Sequence, residues 1–502
     1  MRSTIICLLF FCLCSSYLQG QLVNQNFLFS YQKEKALYLS KNTLHTAFKS
    51  TNWRATKQDT SIKFKISPAF ESLIGLQKDE GVLRNGIGVL IHSNFRKWNV
   101  ELAYIYNYGQ YMDYQKDFII ENKVVPAMNV SRGNNNIQSD YIQGHINYKV
   151  NKIFNFQVGY GRNFIGDGYR SLLLSDFSNA SPYFRIDAKF WRFKYSNLYS
   201  SHQNIFNVEG KSSLYQRKYS VTHFLDYRIN KWLTVGLFES IVWQAEEEGY
   251  TRGFEVNYLN PVIFYRPVEF SIGSSDNALV GANIKASIKE RNILYGQLLF
   301  DEFLLSEIRA DINQWRNPDK DIRSGWWANK YGIQLGWKGF DLFNVDGLSS
   351  RLEYNSVRPY TYAHSNPVQA YSNYNMSLAH PMGANFHEWI ALANYQHKRI
   401  NFKLQYNQSR QGSSPLGTNF GENLELSNSS REEDFENTLT QGVPVQVRFV
   451  NPSFSYQLKK EWNAVASLGF IWREKKQNDV LRQNNMIYLT IKTQLFNQYF
   501  DF

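Results

Sequence analysis

"NALVGANIKASIKERNILYGQLLF", residues 277–300, alternates apolar and polar side chains almost without a break. Ala278, Val280, Ala282, Ile284, Ala286 and Ile288 fall on one side, and Asn283, Lys285, Ser287 and Lys289 on the other. A repeat of two belongs to a β-strand. The pattern pauses at Glu290-Arg291-Asn292 and resumes, so two strands meet in a hairpin with a short polar turn. The deciding question is whether the apolar side faces a protein core or lipid.

Reading outward, the same alternation recurs along the chain. "FNFQVGYGR" sets Phe154, Phe156, Val158 and Tyr160 against Asn155, Gln157, Gly159 and Gly161, and "INFKLQY" sets Ile400, Phe402, Leu404 and Tyr406 against Asn401, Lys403 and Gln405. Eighteen candidate strands result, the first at 62–70 and the last at 485–498. Short connections at 95–97, 151–152, 229–231, 290–291, 397–399 and 459–460 alternate with long ones at 109–138, 163–182, 245–276, 304–328, 359–386 and 411–444. One rim of turns and one rim of loops is the pattern of an outer-membrane β-barrel. A soluble sandwich or propeller would alternate too, but would not separate short and long connections in this way. The apolar side of the opening stretch is therefore expected to face lipid, with Lys285, Lys289 and Lys403 in the lumen.

Composition agrees. Aromatic residues make up 16% of the chain and mean hydropathy is −0.45. Beyond the N-terminus no apolar run approaches the roughly 20 residues of a spanning helix. Arg2, the apolar run Ile5 to Leu13 and the small and polar residues up to Gly20 read as a signal peptide cleaved near Gly20. All three cysteines, Cys7, Cys12 and Cys14, lie within it, so hydrogen bonding and packing, not disulfides, must hold the exported chain. The expected organisation is a signal peptide over 1–20, a periplasmic helical or plug segment over 21–60 and a barrel over 61–502. Within the second, Ala36, Leu37, Leu39, Leu44 and Phe48 have broadly helical spacing. A ring this wide cannot be filled by wall side chains alone, so water, folded-in loops or a plug must occupy it. The formal charge of +12 suits anionic surfaces or polymers. The basic residues are dispersed and the chain is exported, so nucleic acid is not an expected partner.

Catalytic and metal motifs fail. "GKSS" (210–213) has Ile205 where a phosphate-binding loop needs glycine, and "HEWIA" (387–391) has Ala391 where a zinc protease needs its second histidine. "GYGRNF" has Phe164 in place of a dinucleotide fingerprint's third glycine, and no Gly-x-Ser-x-Gly elbow occurs. No enzyme and no cofactor is expected. The acidic run "REEDFE" (431–436) reads as a solvated loop surface.

Several segments carry a resemblance. "GYGRNFIGDGYRSLLLSDFSNASPYFRI" (159–186), "NYLNPVIFYRPVEFSIGSSDNALVGANIK" (257–285), "LYGQLLFDEF" (294–303), "LEYNSVRPYTYAHSNPVQAYSN" (352–373) and "TQLFNQYFDF" (493–502) resemble the capsule-assembly Wzi family, and most closely its Bacteroidetes branch of RemB-like gliding motility proteins. The resemblance implies an eighteen-stranded outer-membrane barrel with a periplasmic helical element. It also implies a lectin-like role in holding surface polysaccharide, or a part in the gliding machinery. The aromatic ending at Phe502 is of the kind read by the barrel assembly machinery.

Sugar binding needs aromatic faces bordered by amide, carboxylate or guanidinium groups. The long loops offer Trp315, Trp326 and Trp327 before the strand at 329–338, Arg358, Tyr360, Tyr362 and His364 after the strand at 348–358, and Asp167, Tyr169 and Arg170 in "GDGYR". Such aromatics also serve as interfacial belt residues. Two function classes follow: a binder or assembly factor for surface polysaccharide, and a diffusion channel with a basic lumen.

Overall fold

The computed structural model describes residues 34–35, 38, 45–48 and 63–502, apart from 79, 207, 209–210, 248–249, 261–275, 290, 303, 318, 321–322 and 494–495. Residues 1–20, expected to be a signal peptide, and Ala36, Leu37, Leu39 and Leu44 of the N-terminal segment lie outside the described residues. Eighteen antiparallel strands form one sheet that closes on itself. Its first strand, Lys63–Gln77, pairs with its last, Val480–Thr493, from Glu71↔Lys492 to Gln77↔Met486. Closure is how a sheet satisfies its backbone where lipid offers no hydrogen bonds.

Facing follows the period of two. In the strand Asn277–Ile288, Ile284 and Ile288 are exposed on the outside while Asn283 and Lys285 are buried within. In Ile400–Ser413, Ile400, Phe402 and Leu404 point out, and Lys403 and Gln405 point in. Exposed aliphatic and aromatic side chains on a ring whose interior is polar are the inverse of a soluble protein. Lipid is the solvent that makes this arrangement favourable. Trp98, Trp191 and Trp232 form an exposed belt beside the turns, and Tyr108 and Trp389 mark the opposite edge. No helix is long and apolar enough to cross a membrane among the described residues. Lys289 corrects the expectation. Its strand stops at Ile288, and Lys289 sits exposed in the turn with φ of +48°, so it does not enter the lumen.

The two rims differ as expected, with an exception at each end of the ring. Tight connections at 96–97, 191–192 and 398–399 lie on the turn rim, and 110–136, 162–180, 358–385 and 414–442 on the loop rim. The first two strands, however, join on the loop rim by a tight turn closed by Gln77↔Glu80, and the last two by one closed by Gln477↔Val480. Strict alternation of short and long connections therefore fails at the seam. The last strand ends at Thr493, not 498, and residues 496–502 leave the sheet and run into the lumen. The aromatic ending thus lies inside the barrel, away from the final strand.

The lumen is filled unevenly. Leu172, Leu173 and Leu174 of the loop 162–180, Tyr362 and Tyr371 of the loop 358–385, and Phe48 pack with inward wall residues such as Phe224, Phe238 and Leu299 into one apolar core. Burying each leucine contributes about 1.5–3 kcal/mol. The described part of the N-terminal segment lies against this side of the wall. Tyr38 packs with Ile293 and Phe340, Lys285 donates to Thr46 Oγ1 at 2.7 Å, and Lys194 donates to the Phe48 carbonyl at 2.8 Å.

Candidate functional site

Three loops meet on the loop rim. The segment around Gly325 is zipped to the loop 414–442: the Trp327 N–H donates to the Asp434 carbonyl at 2.9 Å, the Glu436 N–H to Ser324 and the Asn437 N–H to Gly325, both at 2.9 Å. Gly325 has φ of +70°, and a Cβ there would stand 2.7 Å from the Asn437 nitrogen, so the zipper requires glycine. Trp326 and Trp327 are half-buried with ring centroids 6.1 Å apart. The Arg431 guanidinium lies 4.1 Å from the Trp327 ring. Arg358, also half-buried, donates to the Asn437 carbonyl at 3.3 Å and lies 5.4 Å from the Tyr331 ring. Part of the run read as a solvated surface is thus structural. Arg431 and Asp434 hold the tryptophan pair, and the Glu432 carboxylate accepts the Asn419 N–H at 2.7 Å.

The remaining sequence-selected residues divide. Trp315 stands apart on the helix Leu305–Arg316 and is 81% exposed. Tyr360 and Tyr362 are buried, with φ of +62° and +73°. The Tyr360 hydroxyl donates to the Asn419 carbonyl at 2.8 Å, and that of Tyr362 to the Leu172 carbonyl at 2.7 Å. Burial pushes the Tyr360 hydroxyl up to about 12. His364 is buried, and burial lowers its pKa, with the nearby Lys330 charge adding to the effect. These side chains fix loop shape and offer little face to a ligand.

Asp167, Tyr169 and Arg170 do not reach the rim at all, a correction to their reading as rim contacts. The apolar run that follows them draws "GDGYR" into the lumen. Asp167 accepts from Thr46 and, at 3.1 Å, from Asn283. Arg170 pairs with Glu388 and Asp501, each at 3.0 Å. Glu353 accepts the N–H groups of Tyr169 at 2.6 Å and Arg170 at 3.0 Å, and the Tyr295 hydroxyl at 2.8 Å. His380 bonds Glu388 at 2.7 Å. Most of their hydrogen bonds go to the protein itself, so they hold the folded-in loop in the lumen.

No protein-family model matches the chain, and neither does any curated protein sequence. Among solved structures, it resembles Wzi, an outer-membrane protein involved in group 1 capsule assembly in Escherichia coli and described as a carbohydrate-binding β-barrel. The TM-score is 0.53 at 11% identity, over 86% of this chain and 85% of that one. It also matches OprD of Pseudomonas aeruginosa, with a TM-score of 0.43 at 9% identity, over 86% and 94% of the two chains. At such identities the likeness is one of fold.

Proposed function

We propose that this chain is a non-enzymatic outer-membrane barrel that holds surface polysaccharide at its loop rim through Trp326, Trp327, Arg358 and Arg431. The observation that carries the reading is the half-buried tryptophan pair flanked by two guanidinium groups on three interlocked loops. Half-burial presets the rings while leaving face for the apolar side of a pyranose, and the guanidinium groups suit hydroxyl or carboxylate groups beside it. Long loops on such barrels face the cell exterior. Support comes also from the fold shared with Wzi, a carbohydrate binder. Trp315, exposed on its helix, offers a further contact for a long polymer.

Each sugar stack contributes on the order of 1 kcal/mol by analogy with aromatic pairs, so one alanine weakens binding several-fold. Substituting Trp326, Trp327 and Arg358 together by Ala is expected to abolish retention of purified surface polysaccharide by the refolded barrel. Heat-dependent gel mobility checks that the variant folds. Tyr360 is left in place because its loss would disturb the loop. Undiminished retention by a folded triple variant would remove this site.

A further inference from the structure

One side of the lumen escapes the loop core. On the strands from Ile400–Ser413 through Val443–Lys459, Ala464–Gln477 and Val480–Thr493 to Lys63–Gln77, inward residues such as Asn451, Ser453, Ser455, Ser467 and Lys492 remain half-exposed. A cavity of about 200 Å³ lies against them. Its lining reaches from Val82 and Arg84, just below the loop rim, to Ser455 and Ser467, a few residues above the turn rim. Toward the loop rim its lining is the apolar cluster of Leu73, Val82, Phe449, Ile471 and Met486, and further down it is serine and amide side chains, where a water needs only about 10–15 Å³.

The charged residues lining this slot are Glu71, Arg84, Lys403, Lys492 and Asp501, more cations than anions, and Lys403 donates to Gln405 at 3.0 Å. Arg84 pairs with Glu71 at 2.8 Å, Lys492 faces Glu71 across the seam, and Asp501 pairs with Arg170 at 3.0 Å. Hydroxyl and amide groups make up most of the rest of its polar lining. The inner side of the slot is residues 497–501, with Tyr114 and Gln115 of the helix Asp113–Asn122 and Tyr169 beside them. Residues 497–501 form neither helix nor strand and are held by side-chain contacts. The Tyr499 hydroxyl donates to Asp176 at 2.9 Å, the Tyr114 hydroxyl to the Phe500 carbonyl at 2.8 Å, and Arg473 to the Phe502 carbonyl at 3.0 Å. Losing these contacts leaves the barrel ladder intact.

We infer that the slot is a path for small hydroxylated solutes, and that residues 496–502 are its stopper. The described N-terminal residues pack against the opposite wall, so they do not close it.

Swelling of proteoliposomes in glycerol and arabinose tests the inference. The wild-type barrel should admit both slowly. A folded variant with Tyr499, Phe500 and Phe502 replaced by Ala should admit them several-fold faster, and adding Ser467→Trp should return the rate to the wild-type level. Arg473→Ala, which frees the Phe502 carbonyl and uncovers the Tyr114 ring 4.4 Å away, should shift the rate in the same direction by less, and it serves if the triple variant does not fold. The inference is overturned if folded tail variants swell no faster, if Ser467→Trp leaves the faster rate unchanged, or if the wild-type rate already equals theirs.

Discussion

The wall from Phe154 to His397 and the wall from Ile400 round to Phe95 share one outward pattern, yet their inward side chains live in different surroundings. In the first, Gln157, Lys218, Gln334 and Glu388 are buried under folded-in loops. In the second, Glu71, Arg84, Lys403 and Gln405 are buried too, but Ser453, Ser455 and Ser467 nearer the turn rim remain half-exposed beside a short tail. The difference teaches that the lumen's character is set by what the loops carry. Leu172-Leu173-Leu174 is an apolar run that must find a dry place, and it pulls its loop into one half only.

The largest contrast should be all-or-none. Residues 21–502 contain no cysteine, so Cys introduced at 453 or 455 should react with a water-soluble maleimide in intact membranes, while Cys at 283 or 334 stays inert. Reaction at 283 or 334 would break the division into halves. Lys285 belongs with the inert set, because its partner Thr46 keeps it in the packed half.

Next in size is Arg170→Ala. Leaving Glu388 and Asp501 buried without their cation should cost about 3–5 kcal/mol, read as a lower urea midpoint of the refolded barrel. Leu173→Ala in the same half should cost about 2–5 kcal/mol through its cavity, whereas Ser467→Ala in the slot should stay within about 0.5 kcal/mol. Equal losses at the two sites would show that the halves are packed alike.

The smallest effect is a pH slope. Burial holds the His380 imidazole below its ordinary value, with Arg170 adding to the effect and Glu388 and Glu353 opposing it. Below about pH 6.5 the unfolded chain takes up a proton that the folded one resists. Stability is therefore complete above that pH and declines as acid drives the pH toward the depressed value. His380→Gln should flatten the fall in urea midpoint between neutral and mildly acidic buffer, and an unchanged slope would place the titration elsewhere.

The wall was legible in the sequence because lipid outside and polar lumen inside impose a repeat of two on the spanning strands. The repeat fades above the bilayer, where both faces meet water. In "REKKQNDVLRQNN" (473–485) no apolar side survives, so the tight turn between the last two strands and their full lengths were missed. Of the candidate site, Trp326, Trp327 and Arg358 do gather on the rim. Arg431 was missed because its distance in sequence gives no hint that it covers Trp327. "GDGYR" lies in a long connection and so reads as loop-rim sequence; the leucines that follow it are the contrary signal.

The Arg170 hub also bears on how the ring assembles. Its partners stand 183, 218 and 331 positions away in the chain, at Glu353, Glu388 and Asp501. Contacts of such separation cannot form before the hairpins between them are in place, so contact order makes the hub a late event. A one-residue slip in the strand carrying Glu388 would turn its carboxylate toward lipid and leave Asp501 alone with the guanidinium, and a slip in the strand carrying Glu353 would strand the N–H groups of Tyr169 and Arg170. The hub thus acts as a test of register, complete only in a barrel whose intervening strands have all paired correctly.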